Sequence, residues 1–247
     1  MLRRSVILVA AAAAFAAGAG AQTVDEVLAR SVEARGGLAA ITAVQSLRMT
    51  GRMTMGEMDM PMAVEMKRPA CFRAEMTLQG RPVVQAFDGR EAWTIPPMGS
   101  GTPQALPAEA ARQMAQQADI EGPLVDYKAK GSQAVLVGRE KLGGAEVWRV
   151  KLTRRDGDVE QYLIDAKSWL PIRVEASRRF NGREMKGVTT LGDYRESGGW
   201  KWPRTIVNSA PEGPGEQRLS FDTIEVNPVI DDARFRMPSA KGSAPPR

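Results

Sequence analysis

The chain has 247 residues, 34 Lys and Arg against 29 Asp and Glu, one cysteine and no histidine. That length suits a single β-rich domain with a substantial core, and one cysteine excludes an intramolecular disulfide. A net charge of +5 is too small a surplus for nucleic-acid binding, and without histidine the Ser-His-Asp, Cys-His and common zinc arrangements each lose a member.

Residues 1–21 read as an export signal. Arg3 and Arg4 give a basic start, Val6 to Ala17 an apolar run, and Ala19-Gly20-Ala21 a small-x-small cleavage site. The run is too short for a favoured membrane span. The expected mature chain starts near Gln22 and works in the periplasm, and loss of the two arginines lowers its charge from +5 to +3.

Thr23 and Glu26 then form a capping-box pattern, and Val24, Val27, Leu28 and Val32 follow at helical spacing as far as Gly36-Gly37. A second short helix is expected from Leu38 to Val44. From Gln45 the period falls to 2. Leu47, Met49, Met53 and Met55 alternate with polar residues, and Met58, Met60, Met62, Val64 and Met66 do the same beyond Gly56-Glu57. A type II′ turn there sets Met55 against Met58, Met53 against Met60, Gly51 against Met62, Met49 against Val64 and Leu47 against Met66. Every apolar residue of both strands then lies on one face, and a slip of one residue destroys that agreement. Arg48, Arg52 and Pro61 fall on the other face.

Phe72, Ala74, Met76 and Leu78 begin a second hairpin, with a turn expected at Gly80-Arg81 and a return from Val83 to Phe87. Asp88-Gly89 marks a further turn before a strand from Arg90 to Ile95. After a Pro- and Gly-rich loop, Leu106-Pro107 opens a helix with Pro at its first position. Leu106, Ala110, Met114 and Ala118 give this helix, extending toward Glu121, an apolar stripe too thin for a core. It suits a lid. Strands are expected again over 134–141, 146–154, 159–165, 172–180, 186–194, 203–207 and 218–226. Turn signals at Gly143-Gly144, Asp156-Gly157, Asn181-Gly182 and Gly198-Gly199 punctuate them. The tail, 239–247, is polar, Pro-rich and expected to be disordered.

The fold class is mainly β (α+β): one long antiparallel meander over residues 22–238 that closes or nearly closes into a barrel, with helices as plug or lid. The Arg154-Arg155 and Arg178-Arg179 pairs read as solvated strand faces, and Asp156, Asp158 and Glu160 as solvated acids at a turn. No catalytic motif, metal cluster or cofactor loop is present, so the expectation is a binding protein, with no enzyme activity and no cofactor.

Seven of the thirteen methionines lie between Met49 and Met66. Three readings compete for them. They are ordinary core; or they are a soft wall that repacks around varied apolar shapes, where a rigid core would use Val, Ile and Leu; or Met53, Met55, Met58, Met60 and Met62 bind Cu(I) through their thioethers. The second reading gives a ligand cavity walled by Leu47, Met49, Met53, Met55, Met58, Met60, Met62, Val64, Met66, Phe72, Met76, Leu78 and Phe87, with Trp148, Val150 and Leu152 completing it from a later strand.

Several stretches, in order and spacing, carry a family likeness. They are Val24-Asp25-Glu26-Val27-Leu28, Gly36-Gly37 and Ser46-Leu47-Arg48-Met49-Thr50-Gly51; Phe87-Asp88-Gly89 followed by Trp93; Tyr162-Leu163-Ile164-Asp165 with Leu170-Pro171-Ile172-Arg173; and Ile224-Glu225-Val226-Asn227-Pro228, Ile230-Asp231-Asp232 and Phe235-Arg236-Met237-Pro238. With these the chain resembles the LolA-like exported carriers, the outer-membrane lipoprotein-sorting proteins. The resemblance implies an unclosed antiparallel barrel with a helical lid. It also implies a hydrophobic cavity for lipoprotein or lipid acyl chains, an inner-membrane donor and an outer-membrane acceptor. An envelope module that senses proteins or peptides on the same concave face is the alternative from another class.

Overall fold

The computed structural model describes residues 22–180, 183–210 and 215–238. The expected signal segment, the Asn181-Gly182 turn and the Pro-rich tail lie outside them. The first elements are two short helices, α1 (Val24–Ala34) and α2 (Gly37–Ala43). The capping box at α1 is complete: Glu26 N donates to Thr23 Oγ1 (3.2 Å) and Thr23 N to Glu26 Oε2 (2.8 Å). Gly36 joins the helices at φ +118°, and a Cβ there would sit 2.1 Å from the carbonyl oxygen of Gly199. Glycine is what lets the helix pair seat against the sheet.

β1 (Ser46–Met55) and β2 (Met58–Lys67) form the Met-rich ribbon. The register is the one the alternation demands, from Leu47 opposite Met66 to Met55 opposite Met58. Of the two turn residues, Gly56 has positive φ and Glu57 does not, as a type II′ turn requires. Pro61 faces Arg52, and the pairing of β2 with the next strand ends at Met62, so the missing N–H breaks no ladder bond on that side.

β3 (Cys71–Leu78) and β4 (Arg81–Phe87) follow. Their turn lies one residue earlier than expected. Gln79 and Gly80 both have positive φ, and Leu78 pairs with Arg81. β5 (Ala92–Ile95) and the two-residue β6 (Gln104–Ala105) end this half. Helix α3 (Ala108–Gln117) has Pro107 at its N-cap instead of inside the first turn, and it stops well short of Glu121. Residues 118–131 continue as turns. Seven further strands complete the chain: β7 (Gln133–Leu142), β8 (Ala145–Thr153), β9 (Val159–Asp165), β10 (Pro171–Phe180), β11 (Arg183–Ser197), β12 (Trp200–Ser209) and β13 (Gln217–Val226).

Among the described residues, the strands form one antiparallel sheet in the order β6-β5-β4-β3-β2-β1-β13-β12-β11-β10-β9-β8-β7. Two meanders therefore run outward from a central β1–β13 seam. The free edges are β6 and β7, and the segment carrying α3 connects them. The sheet is not closed into a barrel. At the seam the register slips between Thr50 and Gly51. A Cβ on Gly51 would lie 1.9 Å from the carbonyl oxygen of Ser220, so the two strands approach closely only because this residue has none.

The apolar side chains form three groups. The largest joins the concave face of β1–β4 to α3 and to Phe221 and Trp200. A second lies under α1, where Val27 and Leu28 meet β8 and β9. The third, on the convex side, contains Val84, Ala86 and Trp93. Trp93 Nε1 donates to the carbonyl oxygen of Phe235 (2.7 Å), which ties the C-terminal segment over that patch.

Candidate ligand-binding cavity

The concave face is built by strand parity. Leu47, Met49, Met53, Met60, Met62, Val64, Met66, Phe72 and Phe87 are all buried in one cluster. Met76 and Leu78 pack at its margin. Each such side chain contributes about 1.5–3 kcal/mol by leaving water. Met55 and Met58 lie beyond the cover at the ribbon tip, Met55 half-buried and Met58 44% exposed. Met58 is thus a solvent-facing residue and not part of an enclosed wall. Arg48 and Arg52 point to the convex side, paired with Glu65 (3.1 Å) and Asp59 (2.6 Å).

The cover is α3 and the turns after it. Met114, Ala118, Ile120 and Val125 are buried against the Met face, with Leu106, Ala111 and Ala115 partly buried beside them. The apolar face of α3 is therefore Ala111, Met114, Ala115 and Ala118. Ala110, expected on it, stays half-buried outside the cluster, because the i, i+3, i+4 spacing that ends at Ala118 runs back through Ala111. The turns of 118–127 carry no period, so their share in the cover was not readable.

Trp148, Val150 and Leu152 do not complete the Met face. They pack with Val27, Leu28, Tyr127 and Ile164 in the separate cluster under α1. Trp148 also stacks on Trp169, with ring centroids 6.1 Å apart. The N-terminal helix, not the Met ribbon, is what covers their strand.

Open space lies at one end of the curl. A cavity of about 490 Å³ is bounded by Met55 of β1, Gln113 of α3, Ala176 and Arg178 of β10, 185–189 of β11, 208–210 at the end of β12, and Gly215 and Gln217 beside β13. This is within the usual range for small-ligand sites. Met55 belongs to the expected wall; of the other expected wall residues Met58 faces solvent and the rest are packed, and none of them lines this space. Sequence reasoning missed the contribution of β10–β13. Their alternation was visible, but nothing in it said which end of the curl α3 leaves uncovered. Next to the cavity, Gln217 Nε2 donates to Met53 Sδ (2.8 Å).

Polar groups surround this end of the curl. Asp158 and Glu160 are 4% and 3% exposed, so they are not the solvated acids that their place at a turn suggested. Arginines from three elements account for this: Arg178 of β10 and Arg154 just past β8 meet Glu160, and Arg112 of α3 meets Asp158. Glu160 Oε1 faces Arg178 Nη2 (3.3 Å) and Arg154 Nη1 (3.6 Å), while Arg155 and Arg179 point out to solvent. Tyr162 donates its hydroxyl to Glu160 Oε2 (2.6 Å). Burial, and then the Glu160 charge, pushes that hydroxyl far above the ordinary phenol range.

A second polar group fastens α3. Arg112 Nη1 lies 2.7 Å from Asp156 and 3.3 Å from Asp158, and its Nη2 lies 2.7 Å from Glu109. Gln116 Nε2 donates to the same two aspartates (2.8 and 3.2 Å). Burial raises the pKa of Asp156, but hydrogen bonds from the Asp158 backbone, Arg112 and Gln116 outweigh it and leave the carboxyl below its ordinary value. The chain beyond α3 is held separately, by Arg35 Nη2 on the Glu121 carbonyl (3.1 Å) and Lys130 Nζ on Asp119 (2.7 Å). The start of α3 has no side-chain cap and follows the Gly- and Pro-rich loop. The start of α3 is tied to β5 through β6 and the Leu106 N to Ala92 O bond (2.8 Å), and its body is fastened to the β8–β9 turn by the Arg112 latch.

An open, curled antiparallel sheet with a helix laid over its concave face agrees with the unclosed barrel and helical lid that the resemblance to the LolA-like carriers implied. No family model matches the sequence, and no curated protein does. Solved structures do match. The LolA superfamily protein NE2245 from Nitrosomonas europaea superposes with a TM-score of 0.57 at 15% identity, over 87% of this chain and 98% of that one. A DUF1329 family protein from Desulfovibrio piger ATCC 29098 gives 0.61 at 9% identity, over 87% and 98%. A candidate outer membrane lipoprotein-sorting domain from Vibrio parahaemolyticus gives 0.58 at 12%, over 84% and 95%. The chain has the LolA-like fold. Among the described residues, no helix is long and apolar enough to cross a membrane, and no three His, Cys, Asp or Glu gather as metal ligands.

Proposed function

We propose that the chain is a periplasmic carrier that binds the acyl chains of a lipid or of a lipid-modified protein between its Met-lined concave face and α3. The observation that carries this reading is that the open cavity of about 490 Å³ continues from the ribbon tip at Met55, while the Met face beside it is covered by a short helix of small residues. Three of the four apolar residues that α3 lays on the core are alanines. The helix therefore gives up little apolar surface of its own when it lifts, and the Met face that it uncovers is the surface the cargo covers in its place. An acyl chain that takes its place and buries eight methylenes gains about 6 kcal/mol. Methionine suits the exchange, because its unbranched, polarizable side chain repacks at low cost.

In this reading cargo enters at the open end beside Gln113, displaces α3 and spreads along Met53, Met60 and Met62. An inner-membrane donor and an outer-membrane acceptor complete the proposed route. The reading is tested with delipidated protein and the neutral probe N-phenyl-1-naphthylamine, together with mass spectrometry of organic extracts from the protein purified from its native envelope. Saturable fluorescence enhancement and a co-purifying acylated species are expected. A probe that stays dark, with extracts free of lipid, sinks the proposal.

A further inference from the structure

Arg178 stands on the cavity wall next to Ala176 and pairs across β10–β11 with Met185. A guanidinium carries five N–H donors. Among the described residues, Arg178 places one of them, from Nη2 to Glu160 Oε1. Its Nε is enclosed by protein and finds no acceptor. Glu160 is shared, since the same oxygen also faces Arg154 and the other one takes the Tyr162 hydroxyl. One carboxylate thus stands against two guanidiniums. Lys186 is the other charged residue on the cavity lining, and among the described residues no Asp or Glu lines it. Gln113 and Asn208 add neutral donors, while Met55, Ala176 and Met185 supply apolar wall. A lining that, among the described residues, has cations and apolar surface but no carboxylate fits a ligand with one negative end and an aliphatic remainder.

We infer that the cavity binds a fatty-acid-like amphiphile, with its carboxylate at Arg178 and its tail running past Met55 toward the Met face. This rests on the acyl-chain reading above and names the ligand class. Carboxylate and guanidinium match as planar partners, and the charge of the ligand balances the second arginine.

Binding of cis-parinaric acid is compared with that of its methyl ester, which has the same tail without the charge. A charge-assisted hydrogen bond predicts that the protein binds the acid about tenfold or more tighter than the ester. Arg178→Gln is expected to shrink that ratio to less than about threefold, and Arg178→Lys to keep an intermediate preference for the acid. Equal binding of acid and ester by the unaltered protein overturns the inference and leaves the acyl-chain reading standing. Failure of both to bind overturns the two together. Inorganic phosphate is the third arm: it is expected to leave the acid bound, and displacement of the acid but not of the ester marks a free-anion site and overturns the inference.

Discussion

The guanidinium of Arg112 on α3 lies 2.7 Å from the carboxylate of Asp156, in the turn between β8 and β9. With Asp158 at 3.3 Å, the contact joins the helix over the Met face to the turn between β8 and β9. Arg112→Ala removes the latch and leaves Asp158, 4% exposed, with Gln116 as its remaining side-chain partner. Arg112 is partly exposed, so the cost to stability is expected to be about 1–2 kcal/mol by urea denaturation. Amide exchange in α3 and uptake of an apolar probe are expected to quicken. Pairing the change with Asp158→Asn recovers part of the stability, because the unpaired buried charge is gone. Unchanged exchange in α3 would falsify the latch.

The same contact fixes a pH dependence. The folded-state pKa of Asp156 lies below its ordinary value of 3.8. A depressed carboxylate contributes stability that is fully present above the unfolded pKa and lost as pH falls through the folded one. The chain has no histidine to titrate between. Probe uptake is therefore expected to be flat from about pH 5 to 8 and to rise only below about pH 4. A step near neutrality measured by stopped-flow uptake contradicts the assignment.

The strand alternation and the Gly56-Glu57 turn were enough to set the whole β1–β2 register, because only one pairing puts Leu47 through Met66 on one face. The pairing of β1 with β13 at the centre of the sheet was not readable, since no local signal links Met53 to Leu219. Nor was the split of Trp148, Val150 and Leu152 from the Met face, which depends on where α1 docks. The arginine pairs show the same limit. Alternation implies that one of Arg178 and Arg179 points inward, but its partner, Glu160, sits on the neighbouring β9 opposite Ala176, a pairing that the residues around Arg178 do not announce.

Gly51→Ala is expected to be the most damaging small change in the ribbon. The added Cβ meets backbone, with Ser220 O at 1.9 Å, so no side chain can move aside. A loss of about 3 kcal/mol or more, or failure to fold, is expected. Gly56→Ala is the contrast: nothing lies within 4 Å of its Cβ, and positive φ alone opposes it. That change is expected to cost about 1 kcal/mol. Similar urea midpoints for the two variants would remove the close seam as the reason for glycine at position 51.

Replacing methionine by a stiffer residue separates a soft wall from ordinary core. Met53 and Met60 face each other across the ribbon, both 6% exposed. The double change Met53→Leu, Met60→Leu keeps volume and apolar character, so each site is expected to cost less than about 1.5 kcal/mol. If the residues are core alone, nothing else changes. If they form the wall on which acyl chains spread, leucine narrows the shapes that wall can accept, because its branched side chain holds fewer low-energy conformations. Binding measured across saturated and kinked chains of several lengths is then expected to fall unevenly, with kinked chains losing most. A uniform profile, equal to that of the unaltered protein, assigns the ribbon to the core and leaves the cavity at Arg178 to account for binding by itself.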